Sequence, residues 1–312
     1  MTSTLIEFTL CEAVLTLVGG FLLLGWSSER FVDESVGLAH RLSMSPFVIG
    51  IVIVGFGTSL PELTVSALSA FNAHTDLALG NAYGSCSYNI AVILGLLALI
   101  HPLRIKPRIR RGILTLLLVV TLISAAILAL CQGVSRLGGV VLLILFALYV
   151  TRLLRPDARH AIPTAATENG SDGRPLPLAV SLAVLLGSSA LVVWSAEAIA
   201  RQLGVPELAI GLTVVAAGTS LPELTTSIVA LRRRQTDLML GNILGSNLFN
   251  MLAVVGISAI LHPLDHAAPE ILRRDLPFLF AVTALLFTRR LTRTRGAVLL
   301  LAFVAYALMT WL

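Results

Sequence analysis

Residues 50–103 return, 161 positions later, as residues 211–264: the two stretches align without a gap and 25 of their 54 positions are identical. The first copy carries Gly57-Thr58-Ser59-Leu60-Pro61-Glu62-Leu63-Thr64, then Thr75-Asp76-Leu77, Gly80-Asn81, Gly84-Ser85 and Asn89. The second repeats the same eight letters over Gly218 to Thr225, then Thr236-Asp237-Leu238, Gly241-Asn242, Gly245-Ser246 and Asn250. Upstream, Trp26-Ser27-Ser28-Glu29 echoes Trp194-Ser195-Ala196-Glu197 at an offset of 168, so the first half holds about seven extra residues there. Whatever this chain folds into, it builds the same substructure twice.

The solvent for that substructure follows from composition. Hydrophobic residues make up 56% of the 312, charged residues 12%, and the mean hydropathy is +0.91. A soluble domain carries roughly 25% charged residues, so this chain belongs in a bilayer and has no length left for an appended soluble enzyme domain. Apolar runs long enough to span predict helices over 5–28, 45–71, 77–101, 110–131, 136–153, 177–200, 206–231, 238–261, 274–288 and 296–312. The expected fold is an all-α membrane protein of ten transmembrane helices. Residues 1–154 form one five-helix repeat, 155–176 a polar linker, and 177–312 a second five-helix repeat. Five is odd, so the second copy enters the membrane from the opposite side and the repeats are inverted. In secondary transporters built from inverted repeats, the substrate site lies near the midplane, between the repeats.

Charge tests that topology. With alternate loops on opposite sides, eighteen Lys and Arg fall on the side of the linker and four on the side of the termini. The positive-inside rule then puts the linker in the cytoplasm and both termini outside, in a cell (inner) membrane. The formal charge of +5 reflects this bias, and nucleic acid is not an expected partner. The first Lys or Arg is Arg30, behind the first apolar segment, which therefore reads as a retained helix and not a signal peptide. Three separated cysteines, Cys11, Cys86 and Cys131, give no disulfide framework or zinc spacing.

The residues both copies keep point to an ion. A carboxylate in the bilayer is costly, yet Glu62 lies in a stretch without Lys or Arg from 42 to 103, and Glu223 in one from 202 to 231. With no protein cation in reach, the compensating charge is a metal ion or a proton. Two carboxylates match one divalent cation, and a hard cation such as calcium takes six to eight oxygens. Thr58 and Ser59 share a helical face with Glu62, as Thr219 and Ser220 do with Glu223. Ser85 with Asn89, and Ser246 with Asn250, are four apart on the next helix. Pro61 and Pro222 lack an amide hydrogen and invite a break that frees backbone carbonyls.

Gly-Thr-Ser-Leu-Pro-Glu followed by Gly-Asn-x-x-Gly-Ser, each occurring twice, resembles the α-repeat pair of the cation/calcium exchanger superfamily, most of all its prokaryotic sodium/calcium exchangers. The resemblance covers nearly the whole chain and implies an antiporter working by alternating access, with helices 1 and 6 sliding against the rest. It implies that Glu62 and Glu223 bind calcium and sodium in turn. The ligand oxygens it implies are those of Thr58, Ser59, Thr219, Ser220, Ser85 and Ser246, with the carbonyls of Gly55 and Ala216, seven residues before each glutamate; the helical spacing adds Asn89 and Asn250 to the candidate set. No cofactor, enzymatic activity or obligate protein partner is expected beyond the transported ions and membrane lipid.

Two departures stand out: Cys86 replaces the asparagine that the second copy keeps as Asn247, and Asn250 stands where family members often carry an aspartate linked to potassium coupling. Two carboxylates then balance one calcium, and three sodium ions, if the family ratio holds, leave the site at +1. Coupling to protons is the alternative, since a buried glutamate can carry one, but the paired hydroxyls suit sodium better. A membrane-embedded enzyme lacks its motifs here, and a passive channel needs no opposed pair of broken helices. Asp76 and Asp237 read as helix N-caps, and His101-Pro102 and His262-Pro263 as helix stops.

Overall fold

The computed structural model describes residues 9–154, 171–204, 216–265 and 267–311. The linker between 155 and 170 and the stretch 205–215, the start of the expected 206–231 helix, lie outside the described residues. Apart from connecting turns, one short ladder and one bridge, the described residues are helical. Among the described residues, six helices are long and apolar enough to cross a membrane, seven if one bent pair counts as a single span.

Helix α1 (Leu10–Arg41) starts at a capping box, in which Thr9 and Glu12 satisfy each other's backbone amides. It packs along α7 (Pro175–Gln202), with Gly20 against Val192. After α1 come α2 (Pro46–Thr58) and α3 (Leu60–Phe71), bent by 48° at Ser59. Pro61 in the first turn of α3 explains the break, because it offers no hydrogen to the preceding turn. In the second half α8 (Ala216–Thr219) and α9 (Leu221–Arg232) break in the same way at Ser220, before Pro222. Two long helices follow these breaks, α4 (Thr75–Ile100) and α10 (Thr236–Leu261). Around them stand α5 (Pro107–Cys131), α6 (Arg136–Leu153), α11 (Leu276–Leu285) and α12 (Arg293–Trp311).

Burial ranks the helices. The most apolar window of α10 is 89% buried and that of α4 is 67%, against 22% for α1 and 11% for α6. Thus α4 and α10 form the core, while α1 and α6 turn apolar faces outward, as a lipid solvent allows. The core closes through glycines. A Cβ on Gly241 would lie 2.3 Å from the Phe47 carbonyl oxygen, and one on Gly245 2.7 Å from the Ile51 Cα, so α10 crosses α2 backbone to backbone. Gly95 of α4 meets Gly296 of α12, and its repeat equivalent Gly256 of α10 meets Gly139 of α6. Each core helix therefore docks on an outer helix from the other half. The loops do the same. Strand β1 (Leu103–Arg104) pairs antiparallel with β2 (Arg290–Leu291), and Leu264, equivalent to Leu103, bridges to Val134.

Wide π-helical turns interrupt the site-bearing helices at Gly50–Gly55, Asn89–Leu94 and Phe249–Val254. A π turn leaves carbonyls off the regular ladder and is frequent at functional sites.

Several sequence expectations need correcting. The first helix does not stop at residue 28 but runs to Arg41, so Arg30 lies inside it. Charges such as Glu29, Arg30 and Asp33 end an apolar run without ending a helix, and here they find partners: Arg233 pairs with Asp33 at 3.0 Å and Glu29 at 3.8 Å. The helix expected from 274 begins earlier, through a π turn at Ile271–Asp275, and the last begins at Arg293. Asp76 and Asp237 are not N-caps. His74 and Gln235 hold those positions, and the two aspartates reach across to the other half. Asp76 accepts the Ala268 amide at 2.7 Å and Asp237 pairs with Lys106 at 2.5 Å. The His-Pro pairs do end helices, at Ile100 and Leu261.

Candidate functional site

The two breaks bring the duplicated motifs face to face. Ser59, at the first break, donates to Glu223 Oε1 at 2.8 Å, and Ser220, at the second, donates to Glu62 Oε1 at 3.1 Å. Each half thus supplies the hydroxyl for the other half's carboxylate. Ser246 on α10 lies 3.4 Å from the same Glu223 oxygen and donates to the Gly55 carbonyl at 3.0 Å. Thr58 donates to the Val54 carbonyl at 2.9 Å and has Asn242 Oδ1 at 3.2 Å.

Two residues outside the expected set hold this frame. Asn242 Nδ2 reaches the Glu223 carbonyl at 3.4 Å and the hydroxyls of Thr226 and Ser227 at 3.1 and 2.9 Å. Its equivalent Asn81 donates to the Glu62 carbonyl at 3.0 Å and to Ser66 at 2.8 Å. Each asparagine braces the backbone that carries the glutamate of its own half. The signal was present in the duplicated Gly-Asn pairs, Gly80-Asn81 and Gly241-Asn242.

Both glutamates are fully buried. None of the ion pairs among the described residues involves either, and the basic partners lie toward helix ends and loops. Among the described residues, Glu62 Oε2 and Glu223 Oε2 have no hydrogen-bond partner, and neither does Asn89 Oδ1 nor either polar atom of the Asn250 amide. Buried polar atoms in a native protein almost always have partners. Of the nine orphaned side-chain atoms among the described residues, five belong to the two motif glutamates and two motif asparagines. The donor chemistry suits a hard cation: two carboxylates, amide carbonyls, hydroxyls and main-chain oxygens, without thiolate or imidazole. Among the described residues no three His, Cys, Asp or Glu come together, so an ion held here rests on two acids and neutral oxygens.

The remaining expected ligands sit less decisively. Ser85 is buried on α4 one turn before Asn89, and its hydroxyl is bonded to neither glutamate. Thr219 closes α8 beside Ser220, and Ala216, equivalent to Gly55, opens α8 at the edge of the described residues. A cavity of about 800 Å³ lies elsewhere, between α5 and α6, lined by Ile113, Leu116, Leu145 and Leu148 and rimmed by Arg108 and Arg152. It contains neither glutamate.

The sequence model of the sodium/calcium exchanger protein family matches residues 12–155 and 175–312 of this chain. The chain belongs to that family. Relatives of this sodium/calcium exchanger family member include the putative antiporter CaxA of Alkalimonas amylolytica, 37% identical over 94% of the chain and 97% of that protein. The inner membrane protein YrbG of Escherichia coli K12 is 34% identical over 96% of the chain and 97% of that protein. Among solved structures, the sodium-calcium exchanger NCX_Mj soaked with Na+ and Sr2+ superposes with a TM-score of 0.83 at 30% identity, covering 95% of this chain and 98% of that one. This exchanger-family chain is accordingly a multi-pass membrane protein of a transporter family, not of an enzyme family.

Proposed function

We propose that the protein is a secondary active antiporter that moves Ca2+ against Na+ by alternating access, using one central site shared by two inverted five-helix repeats. The reading is carried by the reciprocal pairing of Ser59 with Glu223 and Ser220 with Glu62; among the described residues no ion pair reaches either glutamate, and one oxygen of each has no partner. The ligands are Glu62 and Glu223 with oxygens of Thr58, Ser59, Thr219, Ser220, Ser85, Ser246, Asn89 and Asn250, and the carbonyls of Gly55 and Ala216. Two ionised carboxylates neutralise one Ca2+. The same pair leaves three Na+ with a single net positive charge, so exchange at that ratio carries current. The α1–α7 pair, packed on the rest without a share in the loop ladder, is the element that moves. Ten spans, both termini outside and residues 155–176 in the cytoplasm complete the topology, in a cell (inner) membrane.

The test is 45Ca uptake into proteoliposomes loaded with sodium, compared with choline-loaded vesicles at the same pH and with a pH gradient alone. Uptake driven by the sodium gradient supports the proposal. Uptake driven only by the pH gradient would keep the site but make the coupling ion a proton.

A further inference from the structure

Among the positions at which the two copies differ, one directly follows the motif serine of the core helices. Position 86 is cysteine where its equivalent, 161 residues on, is Asn247. The two residues meet across the interface between α4 and α10, each side chain against the other's carbonyl. Asn247 Nδ2 donates to the Cys86 carbonyl at 3.1 Å, and Cys86 Sγ lies 3.5 Å from the Asn247 carbonyl. Asn89 Nδ2 then donates to Asn247 Oδ1 at 3.0 Å. All three residues, and Asn250, are fully buried.

The directions in this chain are set by a backbone atom. The Cys86 carbonyl only accepts, so Asn247 must turn its Nδ2 toward it and its Oδ1 away. That oxygen accepts, so Asn89 must turn its own Nδ2 toward Asn247, which leaves Asn89 Oδ1 turned away from Asn247 and, among the described residues, without a partner. A choice of amide orientation is thereby removed by the network itself. Asn250, the equivalent of Asn89, has no such tether. The residue placed to orient it is Cys86, whose thiol offers no strong acceptor and faces the Asn247 carbonyl, and both amide atoms of Asn250 are unpartnered among the described residues.

We infer that Asn247 is a positioning residue that locks Asn89 with its carbonyl oxygen toward the ion, and that Cys86 leaves Asn250 free to turn, making the site's two asparagine ligands unequal. The inference rests on the proposed ion site. An oriented amide oxygen is a preformed ligand; a free amide must be turned, and a bound cation must first displace its Nδ2 end.

Three variants test this by cation titration of thermal stability in detergent, a binding readout independent of transport. Cys86→Asn supplies the missing tether to Asn250 and should tighten Ca2+ binding about five-fold, the ratio for one neutral hydrogen bond. A gain of this kind cannot come from a poorly folded protein. Asn247→Cys releases Asn89 and should weaken binding by a similar factor. The double variant Cys86→Asn with Asn247→Cys exchanges the two roles at unchanged core volume and should bind within about two-fold of the parent. A parent stabilised by Ca2+ or Na+, with Cys86→Asn and Asn247→Cys both at parental affinity or the double variant no better than Asn247→Cys, would overturn the relay alone. A parent that neither cation stabilises would overturn the ion site and the relay together.

Discussion

Replacing Gly241 with alanine tests whether the α2–α10 crossing sets the geometry of the ion site. The added Cβ would lie 2.3 Å from the Phe47 carbonyl oxygen, 3.0 Å from the Gly50 Cα and 3.1 Å from the Ile51 amide nitrogen, all main-chain atoms that cannot rotate away. Ordinary contact begins near 3.4 Å, so the two backbones must separate by about 1 Å. Ser246, one turn further along α10, now reaches the Gly55 carbonyl at 3.0 Å, and Asn242 meets Thr58 at 3.2 Å. A retreat of that size takes both beyond hydrogen-bond range. At about 1 kcal/mol for each buried bond, the half-saturating Ca2+ concentration should rise by one to two orders of magnitude. Uptake into proteoliposomes over a Ca2+ range measures it, with retention of a monodisperse peak in detergent to check folding. Gly25→Ala on α1 is the control, since its Cβ meets nothing within 4 Å among the described residues. Parental affinity in a folded Gly241→Ala protein would refute the idea that this crossing holds the ligands.

Other perturbations give distinct expectations. Glu62→Gln and Glu223→Gln should each weaken Ca2+ binding by about a hundred-fold or more, because a paired buried charge contributes ~3 kcal/mol or more; 45Ca uptake by well-expressed variants is the check, and retained uptake contradicts the site. Asn250→Asp adds an acid among the ligands and should change the sodium or pH dependence of uptake, whereas superimposable profiles would remove Asn250 from the site. Lys106→Gln should alter thermal stability by less than ~1 kcal/mol, and by less still in high salt, because its ion pair with Asp237 is half exposed. A larger, salt-insensitive loss would mean that this tie between the halves is structural.

The break at Ser59 was readable from Pro61, as was the one at Ser220 from Pro222, because proline acts on its own turn. Glutamates and hydroxyls were readable because duplication preserved them together. The pairing of Ser59 with Glu223 was not, since nothing local to either residue specifies a partner 164 positions away. The same limit misplaced Asp76 and Asp237: an aspartate before a helix has a local role on average, and here a contact from the other half takes it. The extent of α1 was hidden for another reason, since hydropathy reports where a helix leaves lipid and not where its hydrogen bonds end. The π turns left no trace in the residue pattern.

The crossed serine–glutamate pairs also bear on how the protein is made. Glu62 leaves the ribosome 158 residues before Ser220, the side chain that will hold it. At about 5–20 residues per second that interval is on the order of ten to thirty seconds. For that time the first half sits at the membrane with an acid whose hydroxyl partner does not yet exist. Insertion of the first half must therefore proceed with Glu62 protonated, hydrated or shielded by the machinery that handles the nascent chain. The arrival of α8 and α9 then brings Ser220 to Glu62 and Glu223 to Ser59 together, and α10 follows with Ser246.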